Sequence, residues 1–142
     1  MRRWAPRPVA GEPDGLILFD GVCVFCSRWV RFVIRNDRHR LFRFVAIQSE
    51  TGRRLADRYG IDPDAPETNA VIMDGRIFFK SDAALQVLAR LPSTRALALV
   101  RAVPPTLRDL AYDRIARNRY RIFGRTETCM VPDMDDRGRF LT

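Results

Sequence analysis

Leu16-Ile17-Leu18-Phe19-Asp20-Gly21-Val22-Cys23-Val24-Phe25-Cys26 is the stretch that decides the fold. Its four leading apolar residues run straight into Asp20-Gly21. A short apolar run closed by a turn signal reads as a buried strand. From Cys23 onward the period changes. Val22, Phe25, Trp29, Phe32 and Val33 fall mostly at three- and four-residue steps, while Arg28, Arg31 and Arg35 take the other side. That pattern is an amphipathic helix ending near Asn36. A strand therefore hands the chain to a helix, and the two cysteines sit at the handover.

Outward from this unit the signals alternate. Leu41 to Ile47 suits a second strand. Ser49 is a cap for a helix running to about Tyr59, with Gly60 just beyond its end. Asp62 to Glu67, with Pro63 and Pro66, reads as a loop. Ala70 to Met73, Asp74-Gly75 and Ile77 to Phe79 predict a hairpin with Asp-Gly at its tip. Ser81 is placed to cap a third helix that buries Leu85, Leu88 and Leu91 and stops at Pro92. The order βαβαββα is that of a thioredoxin-like α/β fold. Its first two strands should be parallel, because a crossover helix joins them, and its last two antiparallel. Residues 93–121 suggest two added helices split at Pro104-Pro105. The predicted organisation is a flexible lead-in over 1–14 and one domain over 15–142. Within that domain, 15–92 is the core and 93–142 a C-terminal helical extension.

The 142 residues can bury a core as one domain. No run approaches the length of a membrane helix or a signal-peptide core, so a soluble, cytoplasmic protein is expected. Net charge is +8, and all the basic residues but Lys80 are arginine. Such a balance permits nucleic acid or an acidic surface as partner. No stacking aromatic pattern or nucleic-acid motif supports the former, and solvated faces explain the charge as well.

Only Cys23, Cys26 and Cys129 are present, too few for a disulfide-stapled scaffold. At a helix N-terminus, unpaired backbone N–H groups stabilise a thiolate, the nucleophilic form of cysteine. The spacing puts both sulfurs on one face, with Cys26 expected a turn deeper and more buried. Cys23 would then attack a substrate disulfide and Cys26 would resolve the mixed disulfide. Asp20 could receive a proton from Cys26, or simply cap the turn. Two alternatives stand beside this reading. The pair could be half of a zinc site completed by Cys129 and His39, or the cysteines could be inert packing in a binding or adaptor module.

The residues also carry a family resemblance. Asp20-Gly21-Val22-Cys23-Val24-Phe25-Cys26 resembles the opening motif of the DCC family. Lys80-Ser81-Asp82-Ala83-Ala84-Leu85 is similar to that family's segment after the hairpin. Asn118-Arg119-Tyr120-Arg121, Phe123-Gly124, Cys129 and Pro132 resemble its C-terminal signature. The resemblance spans about residues 16–141. It implies a thioredoxin-like fold, thiol–disulfide oxidoreductase activity, and Asp20, Cys23 and Cys26 as the named site positions. One feature departs from the better-known thioredoxins. Where they carry a cis-proline, this chain has Glu67-Thr68-Asn69-Ala70, and a trans peptide is expected.

The reading calls for no cofactor and no metal. Its partners are a thiol or disulfide substrate, expected to be a protein, and an electron donor. Cys129 is either a third redox thiol or a small buried residue. His39 falls in a charged turn and suits a solvated role. Ser81-Asp82 resembles the helix start that contacts glutathione in glutaredoxins, although Ser81 serves first as a cap. Arg108 to Arg125 holds six arginines against two aspartates. It could dock an acidic partner or a membrane surface. The favoured expectation is a helix packed on the core through Leu107, Leu110, Ala111 and Ile115.

Overall fold

A computed structural model describes residues 4–66, 68–94, 99–100, 102–123 and 138–141, without the side chains of 119, 120, 122 and 123. Ten elements follow one another among these residues. They are β1 (Arg7–Pro8), β2 (Leu16–Phe19), α1 (Val24–Asn36), β3 (Arg43–Ala46), α2 (Glu50–Tyr59), β4 (Ala70–Met73), β5 (Arg76–Phe79), α3 (Lys80–Leu88), α4 (Pro105–Phe123) and β6 (Phe140–Leu141). The strands form one sheet in the order β1-β5-β4-β2-β3-β6. β2 runs parallel to β3 and antiparallel to β4, and β4 and β5 form the antiparallel hairpin. This is the thioredoxin-like α/β arrangement read from the sequence.

The sheet sorts its side chains by alternation. Leu16, Leu18, Ile72, Ile77 and Phe79 face the side covered by Leu55, Ala56 and Tyr59 of α2. Ile17, Phe19, Phe44, Val71 and Met73 face the side covered by α1 and α3 through Val30, Val33, Ala83 and Val87. Local signals held best where a cap or tight turn enforces them. Ser49 accepts from the Gly52 N–H at 3.0 Å, and Gly60 closes α2 at φ 85°. A Cβ at Gly52 would collide with the Ala46 carbonyl, so only glycine lets α2 lie this close to β3. Asp74 and Gly75 take φ 54° and 73°, the left-handed pair that a two-residue hairpin needs.

Four expectations are corrected. The segment 1–14 is not simply a flexible lead-in. β1 pairs antiparallel with β5, and Trp4 is buried with its ring 5.0 Å from that of Phe79. Proline is tolerated because β1 is an edge strand. Ser81 does not cap α3. The cap position is Phe79, and Lys80 turns in the left-handed region at φ 53°, so Ser81 lies inside the first turn. Its hydroxyl faces α4 instead, 2.5 Å from Asp109 Oδ1. α3 also ends at Leu88, short of Pro92.

The extension supplies the last correction. Pro105 opens α4 as expected, but the first of the two predicted helices falls partly outside the described residues. α4 does not pack through its apolar residues either. Leu107, Leu110, Ala111 and Ile115 are exposed. The helix is fastened to α3 by polar contacts: Lys80 Nζ to Asp113 at 2.5 Å, Arg108 to Asp82 at 3.0 Å, and the Ser81–Asp109 bond. Three polar residues facing α3 outcompete the leucines for the inner side.

A sixth strand was not foreseen. β6 lies parallel to β3, and Arg139 just before it reaches Asp37 at the end of α1. Asp37 accepts from Arg139 at 2.5 Å and from the Leu41 and Phe42 amides at 3.0 and 2.9 Å. Both ionic side chains are buried. Breaking such a pair strands a charge in the interior. Asp37→Ala is expected to lower stability by about 3–5 kcal/mol, read as a shift in the urea-unfolding midpoint.

Candidate active site

The site grows from the corner between β2 and α1. Asp20 is buried, and its Oδ1 accepts from the Val22 N–H at 3.2 Å. The Cys23 N–H donates to the Asp20 carbonyl at 3.2 Å, which tightens the corner into a turn. Cys23 then becomes the N-cap of α1, and its Sγ accepts from the Cys26 N–H at 3.4 Å. A serine or aspartate oxygen usually fills this position, and here sulfur does. Negative charge on Cys23 is stabilised by that amide and by the helix N-terminus. Both cysteines are thiols in this structure.

A cleft of about 180 Å³ opens beside the pair. One wall is α1, through Phe25, Cys26 and Trp29, and the opposite wall is α4, through Tyr112, Ile115 and Ala116. Pro66, Thr68 and Asn69 close a third side, and Asp20 reaches the same space. Tyr112 and Asn69 are locked together: the Asn69 N–H donates to Tyr112 Oη at 3.1 Å, and the hydroxyl donates to Asn69 Oδ1 at 3.0 Å. The lining is mostly apolar. The indole N–H of Trp29 is buried with no hydrogen-bond partner among the described residues.

The three sequence-derived site residues are thus brought together, but not in the expected order of depth. Cys23 is 0% exposed, whereas Cys26 is partly exposed and lines the cleft. The expectation that Cys26 would be the more buried sulfur is overturned. The N-cap role is the cause: it folds the Cys23 side chain back over the first turn. One turn later, Cys26 points towards α4. Arg28 and Arg31 lie on the exposed face of α1, as helix periodicity demanded.

The zinc alternative fails on distance. His39 is exposed beyond the far end of α1, and a helix of 13 residues puts it ~20 Å from the cysteines. Among the described residues no group of three or more potential metal ligands occurs. Cys129 lies outside the described residues. All peptide bonds among the described residues are trans, and Thr68 and Asn69 stand where thioredoxins place their proline.

Gln48, which the sequence reading passed over, is part of the site. Its Nε2 donates to Asp20 Oδ1 at 2.7 Å, and its Oε1 accepts from the Gly21 N–H at 2.9 Å. One amide side chain thereby braces both residues of the Asp-Gly corner. A polar residue just past a strand carries no periodic signal, so nothing local marked it. Gln48→Leu leaves the buried Gly21 N–H unpaired and removes a donor from Asp20. It should cost about 1–3 kcal/mol in urea unfolding.

With this geometry in view, similarity to known proteins is informative. Residues 17–125 match the family described as DCC1-like thiol-disulfide oxidoreductase. The uncharacterized protein YuxK of Bacillus subtilis is 40% identical over 130 residues, covering 91% of this chain and 95% of that one. The DCC family protein At1g52590 of Arabidopsis thaliana, described as chloroplastic, is 38% identical over 116 residues, covering 80% and 67%. No solved structure matches significantly. The chain belongs to the DCC1-like thiol-disulfide oxidoreductase family.

Proposed function

We propose that this chain is a dithiol–disulfide oxidoreductase that cycles Cys23 and Cys26 between dithiol and disulfide. One observation carries the reading. The two sulfurs share the first turn of α1, one cradled by the helix N-terminus and the other facing a cleft that also holds a carboxylate. Family membership supports the same chemistry.

The difference in depth assigns the roles. A sulfur with no exposed surface cannot meet a bulky disulfide, so the encounter falls to Cys26. In the proposed cycle Asp20 takes the proton of Cys26, and the thiolate attacks one sulfur of the substrate disulfide. A Cys26–substrate disulfide forms and the first substrate thiol leaves. Cys23 then attacks Cys26 Sγ as the thiolate, its proton passing in net to the second substrate sulfur, which leaves as a thiol, and the protein holds the Cys23–Cys26 disulfide. Two electrons pass to the substrate, and a dithiol donor restores the starting state. The apolar cleft favours a substrate whose cysteine is flanked by apolar side chains, as in a protein chain. A reducing compartment, the cytoplasm, suits the cycle.

The test is trapping. Cys23→Ser should accumulate a mixed disulfide on Cys26 with a model disulfide, read by mass spectrometry. Cys26→Ser should accumulate none at a comparable rate. A stable adduct on Cys23 alone would reverse the roles. Absence of both adducts, with no reversible disulfide in the unaltered chain, would remove the redox reading. Asp20→Asn should slow exchange at neutral pH roughly 10²-fold, with recovery as alkali ionises the thiol directly.

A further inference from the structure

α4 is turned inside out relative to an ordinary surface helix. The side facing α3 and the cleft carries Arg108, Asp109, Tyr112 and Asp113, all hydrogen-bonded. Helix geometry, at 3.6 residues per turn, places Leu107, Leu110, Ala111, Arg114, Arg117 and Arg121 on the opposite side. All six are exposed. Leu107 is 57% and Leu110 63% exposed, and the turn ahead of the helix adds Leu99 at 80%. Val100 and Val103 stand exposed beside Leu99.

Charge completes the pattern. Arg114, Arg117 and Arg121 make no ion pair with any described residue, whereas Arg108, on the inner side, pairs with Asp82. Soluble surfaces keep contiguous apolar area small unless something covers it. Here exposed leucines stand on the N-terminal turns of the helix, and the later turns of the same side carry guanidinium groups without acidic partners among the described residues. That pairing of apolar insertion with cationic anchoring is what an anionic lipid surface selects.

We propose that this face of α4 seats the chain peripherally on an anionic membrane. Leu107 and Leu110 enter the boundary between headgroups and acyl chains, and Arg114, Arg117 and Arg121 pair with lipid phosphates. A second copy is the poorer occupant. Two such faces would oppose arginine to arginine on chains of net charge +8. A rigid protein partner fits less well than lipid, because the leucines stand out from a helix instead of lining a groove. The attachment is peripheral: no helix among the described residues is long and apolar enough to cross a membrane.

The experiment is co-sedimentation of the full chain with phosphatidylcholine vesicles, with and without phosphatidylglycerol. The unaltered chain should partition onto the anionic vesicles, and binding should weaken as salt rises. Leu107→Glu with Leu110→Glu should cut partitioning roughly tenfold or more. Arg114→Gln, Arg117→Gln and Arg121→Gln together should abolish the preference for phosphatidylglycerol. Both variants change exposed residues, so thermal unfolding and disulfide exchange should match the unaltered chain. The proposal is overturned if anionic vesicles are not bound, or if both variants bind as before. It is also overturned if the leucine variant turns a dimer into a monomer, or if polyglutamate competes fully with the vesicles while the leucine changes have no effect. Vesicle binding does not depend on the cysteines, so the redox reading and the docking face stand or fall separately.

Discussion

The Gln48–Asp20 contact at the end of β2 is the constraint on which the active-site corner depends. The parallel pair β2–β3 brings residues 20 and 48 side by side, and a single amide then satisfies a carboxylate oxygen and a backbone N–H. Without that brace the Asp20-Gly21 turn would have a buried donor to satisfy and no reason to hold its angle. With it, the chain leaves the sheet in one direction and Cys23 arrives at the cap position. The cleft, the helix N-terminus and the carboxylate are therefore consequences of one strand pairing. Central parallel strands of this kind are buried on both faces, and β2 is buried throughout.

What the sequence disclosed and what it withheld divide along physical lines. Ser49, Gly60 and Asp74-Gly75 act within a few residues of themselves, so their signals predicted α2 and the hairpin closely. β1 and β6 have two residues each, too short for any periodicity, and their pairing is decided by open sheet edges. The Asp37–Arg139 pair spans 102 positions and has no local trace. α4 misled for another reason. Its leucines predict a packing face, because burial of apolar surface usually dominates. Here several charge-assisted contacts to α3 decide the orientation instead. The site was legible at its residue types and motif order. The depth of the two sulfurs was not, since it depends on a side-chain rotation at a cap.

The helix N-terminus and the open cleft meet different sulfurs in this chain. The amide that favours charge points at Cys23, and the open space meets Cys26. A carboxylate near Cys26 suits that division, because the exposed thiol has less help from the helix end. The third wall adds to the difference from the better-known thioredoxins. Asn69 is held by Tyr112, so α4 forms a wall of the cleft as well as an appendage to the core.

Lys80 ties α4 to the start of α3. It is the only lysine in the chain, and it is buried at the foot of the helix against Asp113, with Trp4 beneath it at 5.9 Å. The positive side chains on the described surface are therefore guanidinium groups, apart from the single histidine. Guanidinium keeps its proton across the whole range in which proteins are handled. Acetylation and other lysine acylations, which discharge the surfaces of many proteins, have almost nothing here to act upon. The positive charge of the described surface is thus out of reach of acyl donors.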